Sequence, residues 1–508
     1  MTYQPNNLVL NNKTDEFNVR PVSSYEIRKI VNSFPSYKAP GVDKVSVSVI
    51  KDALPIVLPT PTEIVNRSLL TAAFPLAWKK SVAIKEGDYE IPNNNRPVSL
   101  LTVASKICER AALNQLMEYM SQKGCLTEHQ SGNKKMHSTD TLNILVSDMI
   151  LDAMNRNELT AVVKAVDWFK SYLSDRTQSV RIGHILLEAR AITHGVPQGS
   201  ILGPALFSIY INDLPTTHIV GPLESYVDDS KIYLSFSYTD TNVAEIQLTD
   251  DLRRIAAWCC SNSLLANPEK TKLVLFGTTQ MLNHAQDFRM TFLEKELRPV
   301  SSARDLGMEF DECLSYDEHI THVVSKCTKS LCQINRVEHI LDSRTLIVII
   351  NALVFSKLYY CSSVWANTSK KNIAKLQTVQ NFAARIVTGT RKYDHITPVL
   401  QQLNWLPVSY MLQYKDTVMV YKCLKGLAPP YLARRFTSRS QTHGRATSQM
   451  DELDIPLYRT AAGQRSFLYT ATKLWNDLDN NIKDSSSIGV FKKLVREILH
   501  KECWNNSK

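Results

Sequence analysis

The tetrapeptide Tyr226-Val227-Asp228-Asp229 constrains this chain more than any other stretch. Two short runs of alternating polarity, residues 223–227 and 231–236, lie around Asp228-Asp229-Ser230, which is the pattern of a β-hairpin turning there. Two adjacent carboxylates repel each other, so a fold seldom gathers them at a turn for stability alone. A divalent cation reverses that sign, because Mg²⁺ takes carboxylate and phosphate oxygens together. Two-metal phosphoryl transfer needs such carboxylates to hold ions about 3.5–4 Å apart. Aspartate is also a favoured turn residue, and the neighbouring motifs decide between the two readings.

Around the hairpin the pattern is α+β, and it passes into a helical second half. Apolar spacing predicts helices over residues 22–34, 62–70, 100–120, 137–155, 204–214 and 242–260, with Ser138 as an N-cap. Short strands are expected over 81–84, 178–182, 191–194 and 272–276. No internal repeat is evident. The 508 residues are 44% apolar and 21% charged, which excludes a disordered tail, a collagen-like fibre and a coiled-coil rod. The longest apolar stretch, residues 346–355, is interrupted by Asn351 and is about half a bilayer span. With no run resembling a signal peptide, the expectation is an intracellular chain, nuclear or cytoplasmic, without a membrane segment.

Ten cysteines, none arranged as Cys-x-x-Cys, read as reduced thiols. His319, His322, Cys327 and Cys332 superficially offer four metal ligands. Their offsets spread around a helix axis, so the reading is an ordinary helix with exposed histidines and buried cysteines. The charge is unevenly placed. Residues 370–445 hold thirteen Lys/Arg and two acids, a net +11, which leaves the rest of this +10 chain at about −1. Phe382, Tyr393, Trp405, Tyr410, Tyr414 and Tyr421 are interleaved with that charge, a mixture suited to phosphate contact and base stacking.

The hairpin belongs to an ordered series of motifs. Lys85-Glu86-Gly87-Asp88 precedes Asn95-Arg96-Pro97-Val98-Ser99-Leu100, then Gln130-Ser131-Gly132 and His137-Ser138-Thr139. Gly195-Val196-Pro197-Gln198-Gly199-Ser200 follows, then the Asp-Asp hairpin and Asn267-Pro268-Glu269-Lys270. Downstream come Ala303-Arg304-Asp305-Leu306-Gly307, Asp394-His395-Ile396-Thr397-Pro398 and Asn404-Trp405-Leu406-Pro407. From about residue 22 to residue 500 the series resembles the reverse transcriptase of non-LTR, LINE-type retrotransposons. No segment corresponds to that family's endonuclease domain, so target nicking is not expected from this chain.

The resemblance implies a right-hand polymerase fold: a lead-in and start of the fingers over 1–70, fingers and palm with an antiparallel palm sheet over 71–278, and a thumb with a helical basic region over 279–508. It implies RNA-directed DNA synthesis on an RNA template and DNA primer from dNTPs, with two Mg²⁺ ions. Asp228 and Asp229 would be the catalytic, metal-binding pair. Lys85 and Arg96 would reach the incoming triphosphate, Gln198 and Gly199 would lie against template and nucleotide, and Lys270 would stand near the leaving pyrophosphate. The basic block 370–445 would contact nucleic acid.

One departure matters more than the matches. The family carries a further metal-binding aspartate on a strand before the Gly-Val-Pro-Gln-Gly turn, followed by a helix. Here the chain reads Ala161-Val162-Val163-Lys164-Ala165-Val166-Asp167-Trp168-Phe169. The expectation is a strand cut short after Val163 that jumps to a helix at Trp168, without the aspartate and its connecting helix. Asp167 does not align with the ligand, and Val166 at best replaces the family's aromatic gate. The palm would be shortened near 163–168 and the copy defective. Two alternatives stand beside polymerase activity: a non-catalytic RNA- or DNA-binding remnant, and a protein-interaction scaffold.

Overall fold

A computed structural model describes residues 19–71, 74–84, 98–123, 126–132, 134–168, 176–182, 185–186, 188, 190–192, 200–217, 220–227, 229–262, 264–442 and 452–505. The chain divides into two compact units. Among the described residues, no helix is long and apolar enough to cross a membrane.

The first unit takes residues 1–127, 168–214 and 260–265. Its first helix, Ser24–Ser33, opens on a capping box: the Ser23 hydroxyl accepts from the Glu26 amide at 3.3 Å, and the Glu26 carboxylate accepts from the Ser23 amide at 2.8 Å. Ile27, Ile30 and Val31 form its buried stripe and join Val65 of helix Pro59–Leu70 and Ile107 of helix Val103–Gln122 in one core. Pro59 starts the second of these, where a missing N–H costs nothing. Helix Val47–Val57 is absent from the sequence reading, because Pro55 near its end reads locally as a breaker. The expected helix over 100–120 begins later. Leu100 ends the strand Val98–Leu100, and the Thr102 side chain caps Val103–Gln122 through the Ser105 amide. Strand Lys80–Ile84 pairs antiparallel with Val98–Leu100 and parallel with Arg176–Ile182, an arrangement the sequence does not announce.

The second unit takes residues 128–167, 215–259 and 266–508. Its sheet is antiparallel, with Glu158–Trp168 between Lys272–Phe276 on one side and Asp229–Ser237 on the other, and Leu223–Tyr226 beyond the latter. This corrects the expectation for residues 161–168. The strand does not stop at Val163; it runs for 11 residues through Trp168, because nine consecutive positions, Glu158 to Val166, find partners on Asp229–Ser237. Residues 169–175 separate it from the next strand, Arg176–Ile182.

Helix Thr139–Asn155 covers the apolar core with Leu142, Ile144, Val146 and Ile150. Its N-cap is Ser138, as expected, with Thr141 completing the box. Further along, fully buried Asp148 accepts from the Phe467 amide at 2.7 Å and the Leu468 amide at 3.1 Å, so it caps helix Phe467–Asn476. Burial raises that carboxyl to about 6, and the guanidinium of Arg435 opposes the rise. Beyond residue 300 the unit is mainly helical, and its core extends to Leu499.

The helix Asp317–Asn335 corrects a second expectation. His319 is buried and His322 exposed; Cys327 is buried and Cys332 exposed. Burial divides each pair: one member faces the core and the other lies toward solvent. No group of three His, Cys, Asp or Glu able to hold a metal exists among the described residues.

Candidate active site

The hairpin forms as the alternation predicts. Tyr226 pairs with Asp229, Ser225 with Ser230, Glu224 with Lys231 and Leu223 with Ile232, so the strands turn within two positions, of which Val227 is described. Such connections demand left-handed backbone, and Val227 has φ of 59°. A β-branched residue is costly there, so something outside the turn must hold it.

That support comes from Gln130, which is 3% exposed. Its side-chain carbonyl accepts from the Val227 amide at 3.0 Å and the Gly132 amide at 2.7 Å. Its side-chain NH₂ donates to the Val227 carbonyl at 3.3 Å. Both backbone polar groups of Val227 are therefore engaged by one buried amide. The flanking residues lock the segment to the hairpin: the Ser131 amide donates to Ser225 O, and the Ser225 amide donates to His129 O, both at 2.8 Å. Gly132 is obligatory for this approach, since a Cβ there would lie 2.4 Å from the Val227 nitrogen.

Two charged contacts brace the strands behind the turn. Glu224, 5% exposed, bonds His129 Nδ1 at 2.8 Å. Burial pushes the Glu224 carboxyl up, and that hydrogen bond raises the His129 imidazole. Its cross-strand partner Lys231, 2% exposed, forms an ion pair with Asp305. Asp305 ends the strand Ser302–Asp305, whose turn through Leu306 and Gly307 leads into Met308–Asp311. The Tyr360 hydroxyl donates to the Leu306 carbonyl at 2.7 Å and so holds that turn.

Of the residues singled out from sequence, Asp229 starts the strand Asp229–Ser237 and is half-buried, in register with Val166 of the central strand. Lys270 is exposed in the turn before Lys272–Phe276, its amide donating to Asn267 O at 3.2 Å. Since Lys272 pairs with Lys164, Asp229 and Lys270 flank the same end of the central strand. Asp228, Lys85, Arg96, Gln198 and Gly199 lie outside the described residues. In the sequence Gln130 stands in a Gln-Ser-Gly motif that carries no role by itself, and Glu224, Lys231 and His129 belong to no motif. Ionisable residues inside an otherwise apolar hairpin were the available signal.

Register, not side-chain position, is what the described residues give for the central strand beside the turn. Across from Asp229, Ser230 and Lys231 stand Val166, Ala165 and Lys164, and Asp167 is the next residue of the central strand.

Residues 79–310 match the family model for reverse transcriptase (RNA-dependent DNA polymerase). The chain is similar to a probable RNA-directed DNA polymerase from transposon BS of Drosophila melanogaster, 30% identical over 430 residues, covering 76% of this chain and 47% of that protein. It is similar to the probable RNA-directed DNA polymerase from transposon X-element of the same species, at 25% identity over 76% of this chain and 46% of the relative. The RNA-directed DNA polymerase from mobile element jockey of that fly is also 25% identical, over 75% of this chain and 46% of its own length. The chain carries a reverse transcriptase domain of the non-LTR, LINE-type retrotransposon family. It spans a little under half the length of these relatives.

Proposed function

We propose that this chain is an RNA-directed DNA polymerase domain whose nucleic-acid binding outlasts its chemistry. The reading as polymerase is supported by the match over residues 79–310 and by relatives that carry that activity in their names. The reading as an impaired copy rests on one observation: over residues 161–168 the sequence has no counterpart aligned with the family's strand aspartate, and Asp167 is the one carboxylate there. Polymerases of this family work with divalent ions, Mg²⁺ in our reading, and Asp228 and Asp229 are the residues that would hold them. In this reading Asp167 does not replace the family's aspartate, and two neighbouring carboxylates alone restrain two mutually repelling dications poorly.

In this reading, residues 71–278 form fingers and palm and residues 279–508 the thumb and a helical basic region. Lys85 and Arg96 would bind the triphosphate as charge-assisted donors, Gln198 and Gly199 would contact template and nucleotide, and Lys270 would face the departing pyrophosphate. RNA template, DNA primer and dNTPs are the substrates, and the +11 block over 370–445 provides salt-dependent affinity.

Primer extension on an RNA template, run beside RNA binding, tests this. The expected result is binding that weakens with salt and extension at background, unchanged by Asp228→Asn. Extension at an ordinary polymerase rate, abolished by Asp228→Asn, would overturn the impaired reading.

A further inference from the structure

One concave surface of the second unit combines charge, aromatic rings and depth. Helices Asp317–Asn335 and Lys370–Thr388 pack on each other, and a groove of about 650 Å³ opens beside them. Lys375, Arg385 and Lys392 line it against a single acid, Glu338, and half-buried Phe382 lies among them. Helix Lys370–Thr388 then ends on Gly389 at φ 66°, a left-handed cap that swings the chain into Arg391-Lys392-Tyr393.

That turn is held in place. The Asp394 carboxylate accepts from the Arg391 amide at 3.0 Å, and the Arg385 guanidinium donates to the carbonyls of Arg391 at 3.3 Å and Asp394 at 3.4 Å. Tyr393 projects from it 92% exposed, with the Lys392 ammonium 5.7 Å from its ring centroid. Trp405 and Tyr421 of the same block are buried in the core, and Phe382, Tyr410 and Tyr414 are half-buried. Composition alone made all six suited to stacking. Packing leaves Tyr393 as the one of the six that stands in solvent.

We propose that this groove binds a segment of single-stranded RNA, with phosphates on Lys375, Arg385 and Lys392 and bases against Phe382 and Tyr393. The proposal rests on the reading of this chain as an RNA-handling protein. Single-stranded RNA supplies both charge and unstacked π faces. A duplex hides its bases, and an acidic polypeptide matches only the charge.

The test is a fluorescence-anisotropy titration of the full chain with labelled oligouridine across a salt series. The groove variant combines Lys375→Gln, Arg385→Gln and Lys392→Gln. A charge-matched control combines Lys370→Gln, Lys371→Gln and Lys425→Gln, and thermal melting by circular dichroism verifies that both fold. Three lost phosphate contacts take about 2 off the salt slope, so between about 50 and about 200 mM salt the wild type loses about 20-fold more affinity than the groove variant. Tyr393→Ala weakens binding about tenfold, and Tyr393→Phe restores it. Equal loss in the groove and control variants would overturn the groove while leaving RNA binding standing. Insensitivity to Tyr393→Ala, together with full displacement by polyglutamate, would overturn it in favour of an acidic protein segment. A wild-type chain that binds no RNA would overturn the groove and the RNA-handling reading together.

Discussion

Replacing Gln130 by alanine isolates the device that holds Val227 in its left-handed backbone. In the native chain one buried amide accepts from the amides of Val227 and Gly132 and donates to the Val227 carbonyl. Alanine leaves two amide donors without that acceptor, and an unsatisfied buried donor costs about 1–3 kcal/mol. Part of this is recovered, since Val227 is then free to leave its φ of 59°, a conformation worth about 1–2 kcal/mol of strain. The net expectation is a loss of about 2 kcal/mol. Two further signatures separate the clamp from a generic core defect. Amide exchange accelerates at Val227 and Gly132 more than in helix Thr139–Asn155. Asn at position 227 tolerates left-handed backbone, so Val227→Asn in the Gln130→Ala background returns about 1 kcal/mol. Urea denaturation followed by tryptophan fluorescence, with hydrogen exchange of peptides spanning 226–232, 128–134 and 139–155, reads all three. The reasoning is refuted if Gln130→Ala costs under about 0.5 kcal/mol and leaves exchange at Val227 unchanged.

Other consequences are equally direct. Lys231 is 2% exposed and paired with Asp305, whose side chain is 14% exposed. Lys231→Met is expected to cost about 2–4 kcal/mol by stranding a charge. The double variant with Asp305→Leu should recover most of that, and strict additivity in the cycle would count against the pair. Burial lowers the His319 imidazole from 6.5 to about 4, and its Nδ1 accepts from the Glu309 amide at 3.4 Å. The unfolded chain therefore binds the extra proton first as pH falls. Stability contributed by neutral His319 is complete above about 6.5 and lost toward 4, by up to about 3 kcal/mol. His319→Gln should flatten that limb of a stability–pH profile; an unaltered limb would place its cause elsewhere.

What was legible in the sequence was local. The hairpin follows from alternation and a turn dipeptide, and helix Thr139–Asn155 from an N-cap and an apolar period, all within a few residues of one another. The clamp was not legible, because Gln130 and Val227 are 97 positions apart and a glutamine carries no periodic signal. Helix Val47–Val57 was hidden by Pro55, whose ring conflicts only with the preceding turn near the helix end. Composition misled where burial decides: Tyr393 and Tyr421 look alike as residue types, but one is 92% exposed and the other 2%.

The central strand is the most instructive case. Reading residues 161–168 against a family pattern ends the strand where the pattern breaks, as though a missing aspartate removed the strand with it. Backbone pairing is indifferent to that side chain. Asp229–Ser237 presents a continuous ladder, and any segment of adequate length between it and Lys272–Phe276 satisfies the amides and carbonyls on both sides. Strand formation and ligand supply are thus separable properties of the same eleven residues. A sheet of this kind can keep its hairpin, its Gln130 clamp and its braced strands whichever side chain stands across from Asp229. For that reason loss of a metal-binding side chain from such a strand need not imply loss of fold, and the RNA affinity proposed for residues 370–445 need not fall with it.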